Sequence, residues 1–151
     1  MNNLVIEDAK IIFSNFKGEP DRFNTQGGKR SFCILFSNER AKELLEEGWN
    51  IKFLRPRDED DLPRGYLSIS IRFDVMPPKI VMISGGKKIL LDQAKIDILD
   101  WAEIDRVDIT VRPYNWTVNS SQGVKAYLKT MYVTVHEDEF EERYRDIPVA
   151  D

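Results

Sequence analysis

Aromatic and cationic residues are interleaved in two neighbouring segments of this 151-residue chain, Val107–Val118 and Val124–Val135. Each segment has one row of alternate residues that is mainly aliphatic and a second row that contains the rings and charges. The second rows include Arg112, Tyr114, Trp116, Lys125, Tyr127 and Lys129. Rings stack on exposed bases and cations neutralise phosphates, so this combination is typical of a surface that binds a single nucleic-acid strand. Packing within a sheet is the alternative, because Tyr and Trp also favour strands for that reason alone.

The turn-rich segment Asn119–Gly123 predicts that the two segments form a β-hairpin. One face of the hairpin is expected to be core, and it consists of Val107, Ile109, Val111, Ala126, Leu128 and Thr130. The aromatic and cationic rows would then lie together on the opposite face. A shift of one residue exchanges the two faces of a strand, so this prediction depends on the register.

A second basic patch lies in and beside the glycine-containing loop Lys17–Lys29. Phe23 and Arg30 are the binding candidates there, because glycines permit close approach of a backbone and cations neutralise phosphates. A solvated turn with one anchoring ring explains the same composition equally well. Four further cations could extend the surface, although the acidic run Asp58–Asp61 lies among them; they are Lys52, Arg55, Arg57 and Arg64.

The elements that must position these residues are mostly short strands. Besides the last hairpin, single strands are predicted at Leu4–Phe16 (long and bent), Arg30–Phe36, Trp49–Leu54 and Tyr66–Phe73. A further hairpin is predicted from Lys79–Ser84 and Lys88–Leu91, with its turn at Gly85–Gly86. A helix is predicted at Glu39–Glu47, capped by Ser37 or Asn38, and a helical turn within Asp92–Trp101. This series predicts a fold dominated by β-structure, namely an OB-like antiparallel β-barrel with one or two short helices. An immunoglobulin-like sandwich fits less well, because a helix interrupts the strands.

Charge is distributed unevenly along the chain, whose net charge is −4. Residues 136–151 contain seven acidic and two basic residues and carry −5, which leaves +1 for the remainder. We therefore predict an OB-like domain at 1–135 and an acidic C-terminal segment at 136–151. The first residues, MNNLVIEDAK, lack a secretory signal, and no apolar stretch approaches the roughly 20 residues that span a bilayer. The sequence thus predicts a cytoplasmic protein without membrane contact.

Few residue types suited to catalysis are present. His136 is the only histidine, and Cys33, the only cysteine, lies in an apolar strand, so no catalytic triad is predicted. The strongest enzymatic alternative is a metal-dependent nuclease using carboxylates from Asp92, Asp97, Asp100, Glu103, Asp105 and Asp108. Solubilisation of a short connection is the interpretation that we favour for these residues. The sequence therefore predicts a protein that is not an enzyme and needs no cofactor or metal.

Five segments spread over nearly the whole chain resemble phage-encoded single-stranded DNA-binding proteins. They are NLVIEDAKIIFSNFKG, FNTQGGKRSFCILF, GWNIKFLRPRDED, ILDWAEIDRVDITVRPYNW and GVKAYLKTMYVTVHEDEFEERY. The resemblance implies an OB-fold module that coats and protects single-stranded DNA during phage replication and recombination, with little sequence preference, in a bacterial cytoplasm. The residues RPYNW and KAYLK match the place where such a module presents its binding face.

The acidic C-terminal end suggests replication or recombination proteins of phage or host as partners, and a homodimer is left open. Tails that recruit partners often end with an aromatic residue, whereas this chain ends in IPVAD. A phage module that only binds protein, or has a structural role, is the alternative function, because Tyr, Trp and Arg also dominate protein interfaces.

Overall fold

Nine β-strands, one α-helix and one 3₁₀ helix form the part of the chain that the computed structural model describes, residues 1–20, 25–136, 147, 148 and 150. The strands are β1 (Leu4–Ile6), β2 (Lys10–Asn15), β3 (Arg30–Phe36), β4 (Ile51–Phe53), β5 (Gly65–Ile71), β6 (Lys79–Ser84), β7 (Lys87–Leu90), β8 (Ile104–Val118) and β9 (Ser121–Val135). The helices are α1 (Asn38–Glu46) and the 3₁₀ helix Ile96–Asp100. The predicted dominance of β-structure, with one short α-helix, is confirmed.

All the strands belong to one mixed sheet, whose main order is β1–β8–β9–β5–β3–β2. β4 lies beside β5, and β6 pairs with both β7 and β9. β5 and β6 each run parallel to β9. The prediction of a wholly antiparallel arrangement is therefore wrong at these two pairs. A parallel pair needs a crossover connection, and the long segment that includes β8 supplies it.

The single long strand predicted at Leu4–Phe16 is two strands with different partners. β1 pairs with β8, whereas β2 pairs with β3. Between them Asp8 has a left-handed φ of 49°, and its backbone N–H donates a hydrogen bond of 2.9 Å to the carboxylate of Asp108. A non-glycine residue in this conformation interrupts a strand. The apolar pattern alone does not reveal such a break.

One face of the sheet carries the hydrophobic core. Its buried residues include Phe32, Ile34, Leu67, Ile69, Val107, Ile109, Val111, Ala126, Leu128, Met131 and Val133, and α1 adds Ala41 and Leu44. Burial of each large side chain stabilises the fold by about 1.5–3 kcal/mol. Five of the six core residues predicted for the last hairpin are thus confirmed.

Thr130 is the exception, and a β-bulge explains it. Thr110 is opposite Thr130 while Val111 is opposite Leu128, so Lys129 is an extra residue in β9. A bulge shifts the alternation by one residue. Met131 therefore takes the next core position, and Thr130 is only half-buried.

The hairpin is also longer than predicted, because Val118 pairs with Ser121. Asn119, with φ of 57°, and Ser120 alone form the turn, so most of the predicted loop Asn119–Gly123 is strand.

The helix α1 agrees with its prediction: the Ser37 hydroxyl accepts a hydrogen bond of 3.2 Å from the N–H of Arg40 and caps it. No helix in the described residues has the length and apolar composition needed to cross a membrane.

Candidate nucleic-acid interface

The face of the sheet opposite the core forms a groove of about 1070 Å³. Directly paired residues of neighbouring strands point to the same face of a sheet. One row of such residues crosses β2, β3, β5, β9 and β8 through Asn15, Ser31, Ser70, Tyr127 and Arg112. The row extends from the floor of the groove onto the last hairpin, so the two form one continuous surface.

Small polar side chains make up the floor of the groove, namely Ser31, Cys33, Ser68 and Ser70. Cys33 is 8% exposed, and burial raises the pKa of its thiol, an effect that a hydrogen bond with Ser68 partly offsets. The thiol therefore stays protonated at neutral pH, where it is a poor nucleophile. Small side chains leave room above the sheet for a ligand.

Aromatic rings flank this floor. Phe13 and Tyr66 line the groove, and their ring centroids are 5.7 Å apart in an edge-to-face arrangement. Phe13 is 64% exposed. Its φ is 51°, and the register of β2 with β3 shifts between Ile12 and Asn15, so the ring turns outward from the regular pairing. On the hairpin, Tyr114 and Tyr127 form a second edge-to-face pair at 5.9 Å. Each pair presents an aromatic surface on which a base can stack.

Cations lie beside these rings. Lys52, Arg72 and Lys125 line the groove together with Lys29 and Arg30. The Lys125 Nζ is 5.4 Å from the centroid of the Tyr127 ring, and the Arg112 guanidinium carbon is 5.8 Å from it. A cation at such a distance is attracted to the ring face, which holds charge and ring in one place.

Two of the arginines are fixed by local contacts. Arg72 donates hydrogen bonds to both carboxylate oxygens of Asp74, at 3.1 and 2.6 Å. This contact, and then a hydrogen bond with Tyr127, raises the pKa of Arg72, while the pKa of Asp74 is lowered chiefly by Arg72. Arg30 lies 5.8 Å from the Phe73 ring, and its buried Nε has no hydrogen-bond partner among the described groups.

The structure brings five of the eight predicted binding residues to one surface with the groove. Arg30 and Lys125 line the groove itself. Tyr127 and Arg112 pair directly across β9 and β8, and Tyr114 pairs with Lys125. Their arrangement on the face opposite the core agrees with the register expected from the sequence.

Of the remaining three predicted residues, Trp116 lies farther along the same face of the hairpin, Lys129 lies at the bulge, and Phe23 is not described. Trp116 is opposite Gly123, near the end of the hairpin, and is 36% exposed. Lys129 is exposed at the bulge and does not line the groove in the described structure. Phe23 lies outside the described residues, as does most of the acidic C-terminal end, from Glu137 to Asp146.

Other groove residues were not assigned to the site from the sequence. Alternation in β5 already places Tyr66 and Arg72 opposite the core, but only the parallel pairing of β5 with β9 brings this face of β5 beside Tyr127, through Ser70. Lys52 lines the groove, as the sequence suggested, whereas Arg55, Arg57 and Arg64 lie outside its lining. No sequence signal indicated Phe13, because a left-handed φ in β2 determines its exposure.

Three of the carboxylates considered for a nuclease have structural partners instead. Asp92 accepts hydrogen bonds from the N–H groups of Ala94 and Lys95, which precede the 3₁₀ helix. Asp100 accepts from two backbone N–H groups, and Asp108 from Asp8 and from the Arg106 side chain, which lowers the pKa of Asp108. Within the described residues, no three of His, Cys, Asp and Glu form a cluster that could hold a metal ion. These contacts give Asp92, Asp100 and Asp108 structural roles.

Substitution of Gly123 by alanine tests how Trp116 is held. A Cβ at Gly123 would lie 2.6–2.9 Å from three atoms of the indole, so the ring packs flat on the glycine backbone. Because the indole is at the end of an exposed hairpin, we expect it to swing away at little cost in stability, less than about 1 kcal/mol. The expected result is a red shift of Trp116 emission with an unchanged melting temperature. An unchanged spectrum in a Trp101→Phe background would contradict this packing.

No curated protein matches this chain. Solved structures of the single-stranded DNA-binding protein from bacteriophage Enc34 have a similar fold. The structure of that protein alone has a TM-score of 0.56 at 11% identity, covering 91% of this chain and 83% of that one. Its complex with ssDNA has a TM-score of 0.57 at 10% identity, with coverage of 91% and 89%. A C-terminal truncation gives 0.54 at 12% identity, with 90% and 87%. Such low identities establish similarity of fold alone.

The sequence itself identifies the family. All of residues 1–151 match the family described as "Putative phage ssDNA-binding domain". This match confirms the resemblance noted above, and with it the prediction of a DNA-binding role without catalysis. The chain therefore belongs to the family of phage single-stranded DNA-binding domains.

Proposed function

We propose that the chain binds single-stranded DNA along the groove and the adjoining face of the β8–β9 hairpin, with little sequence preference. The observation that supports this most directly is the shared row of paired residues, which joins the polar floor to Tyr127 and Arg112. A DNA strand lying along this surface would contact rings and cations in alternation. Stacking is tolerant of sequence, because every base has a π-face.

The contacts suggest separate tasks for the two residue types. Phe13, Tyr66, Tyr114 and Tyr127 would stack bases, and Trp116 would add a platform at the end of the hairpin. Lys29, Arg30, Lys52, Lys125 and Arg112 would contact phosphates. Arg72 contributes less net charge, because Asp74 is bound to it. Lys129 and Phe23 are assigned to the site from the sequence alone.

We further propose that residues 1–135 form an OB-like barrel and that 136–151 is a separate acidic segment. The similarity to phage single-stranded DNA-binding proteins supports the first part. The −5 charge of 136–151 supports the second, because such a segment suits basic protein partners or competition with DNA. On this proposal the protein coats phage DNA during replication and recombination in the cytoplasm of a bacterial host, as a monomer or a homodimer.

Salt dependence tests the proposed phosphate contacts. For a single strand, the slope of log K against log salt is about −0.7 per phosphate contact. Replacement of Lys52 and Lys125 by alanine in one variant should therefore make the slope shallower by about 1.4. Fluorescence anisotropy of labelled oligo-dT over a salt series gives the slope. The matched control is Lys79→Ala with Lys88→Ala, which removes the same charge away from the groove and should leave the slope unchanged.

The same titration separates DNA binding from the protein-interaction alternative. Counterion release makes nucleic-acid binding weaken steeply with salt, whereas an apolar protein contact does not. If folded protein gives no anisotropy change with oligo-dT at low salt, the proposed function is wrong. If both double variants give the same slope, the phosphate contacts do not lie in the groove.

A further inference from the structure

A second, smaller depression of about 320 Å³ adjoins the groove at β2. Ser14 and Asn15 line both, so the two depressions adjoin at these two residues. The second depression is lined further by Lys17, Glu19, Pro20, Asp100 and Trp101. A DNA strand that leaves the floor of the groove at β2 would cross the exposed Ser14 and the half-buried Asn15 to reach this depression.

Trp101 lines this depression and is 68% exposed. No other described tryptophan is as accessible: Trp49 is 3% exposed and Trp116 is 36% exposed. The Lys17 Nζ lies 6.0 Å from the centroid of the Trp101 ring. An exposed indole beside a lysine is the same pairing of ring and cation that the hairpin presents.

The position of Trp101 is fixed by the residue before it. The two carboxylate oxygens of Asp100 accept hydrogen bonds from the backbone N–H groups of Phe16 and Lys17, at 2.9 and 2.8 Å. These bonds fasten the end of the 3₁₀ helix to the end of β2. The backbone that carries the indole is thus held next to the end of β2.

The local charges favour stacking over phosphate contact. Lys17 forms an ion pair of 3.2 Å with Glu19, which offsets its charge. Asp100 adds a negative charge within the same depression. A neutral base face gains from the indole, whereas a phosphate would gain little here.

We propose that Trp101 is a further base-stacking residue, which extends the DNA path beyond the groove over Ser14 and Asn15. This proposal rests on the proposed function of the groove. It concerns only oligonucleotides that are long enough to leave the groove, because the platform lies outside the floor. Trp101 would thus set part of the binding-site size.

The test is affinity as a function of oligonucleotide length, from about 4 to about 16 nucleotides of dT, the range of site sizes known for OB folds. Trp101→Ala should weaken binding of long oligonucleotides by about 5-fold to 100-fold, as expected for one stacked base, and leave short ones unaffected. The matched control is Ile98→Ala, an exposed apolar residue of the same 3₁₀ helix outside both depressions. Intrinsic fluorescence of a Trp116→Phe variant should be quenched by long oligonucleotides only, because Trp49 is buried.

The outcomes separate this proposal from the one on which it rests. If the unmodified protein binds oligo-dT and folded Trp101→Ala binds every length equally well, the platform is refuted while the groove stands. Equal weakening at all lengths also overturns the extension, since Trp101 would then belong to the minimal site. If the unmodified protein binds no length, both proposals fail together.

Discussion

A protein in which both Tyr66 and Tyr127 are replaced by alanine is expected to bind oligo-dT about 30-fold to 10,000-fold more weakly, while keeping its fold. Each stacked base contributes about 1–3 kcal/mol, and each 1.4 kcal/mol is a factor of ten. The two rings lie on β5 and β9, on opposite sides of the floor residues Ser68 and Ser70, so each would serve a different base. Fluorescence anisotropy at fixed salt measures the loss. Phenylalanine at both positions keeps the π-face and should retain most of the affinity.

Tyr132→Ala is the matched control for this variant. Tyr132 is also on β9 and has the Lys79 Nζ 5.9 Å from its ring centroid, but it lies outside the groove. It therefore reproduces the loss of a strand tyrosine with a neighbouring cation. Equal weakening by Tyr132→Ala would show that stacking extends along β9 beyond the groove, and full affinity in the folded double variant would show that the groove is not where bases stack.

Local patterns predicted much of this surface. Strict alternation identified β5, and the buried row Val107, Ile109 and Val111 fixed which face of β8 is core. Once that face is known, the positions of Arg112 and Tyr114 follow from the two-residue period of a strand. Pattern reasoning succeeds here because it needs only neighbours along the chain.

Pairings between distant segments were not predictable in the same way. The parallel register of Ser70 with Tyr127 joins strands that are far apart in sequence, and it creates the groove. The left-handed φ values of Asp8 and Phe13 depend on tertiary contacts, such as the hydrogen bond from Asp8 to Asp108. The bulge at Lys129 likewise depends on β8, and it moved Thr130 out of the core. Each of these is a long-range effect that residue types alone do not encode.

A second large effect is expected at Gly65, the first residue of β5, which immediately precedes Tyr66. A Cβ at this position would lie 2.4 Å from the Ala41 Cβ of α1 and 3.0 Å from the Ile51 Cγ2. Overpacking of this kind costs about 1–3 kcal/mol. The Ala41 Cβ cannot rotate away, so we expect Gly65→Ala to be near the upper limit. For a chain of this size that corresponds to a melting temperature lower by roughly 6–12 °C.

Comparison with Gly86→Ala separates crowding from backbone strain. At Gly86 an added Cβ meets nothing within 4 Å, although its φ of 75° disfavours alanine. We therefore expect a smaller loss there, about 1 kcal/mol. Equal losses at the two glycines would contradict the crowding that the Ala41 contact predicts.

A double-mutant cycle with Ala41→Gly identifies the atom responsible. Alone, Ala41→Gly should destabilise the protein by about 1 kcal/mol, because glycine is a poor helix residue. Combined with Gly65→Ala, it removes the closest contact, so the double variant should be more stable than the sum of the single losses by about 0.5–3 kcal/mol. Urea unfolding of the four proteins measures this coupling. Strictly additive losses would mean that Ile51, not α1, resists the added methyl group, and that α1 does not determine where β5 and its Tyr66 lie.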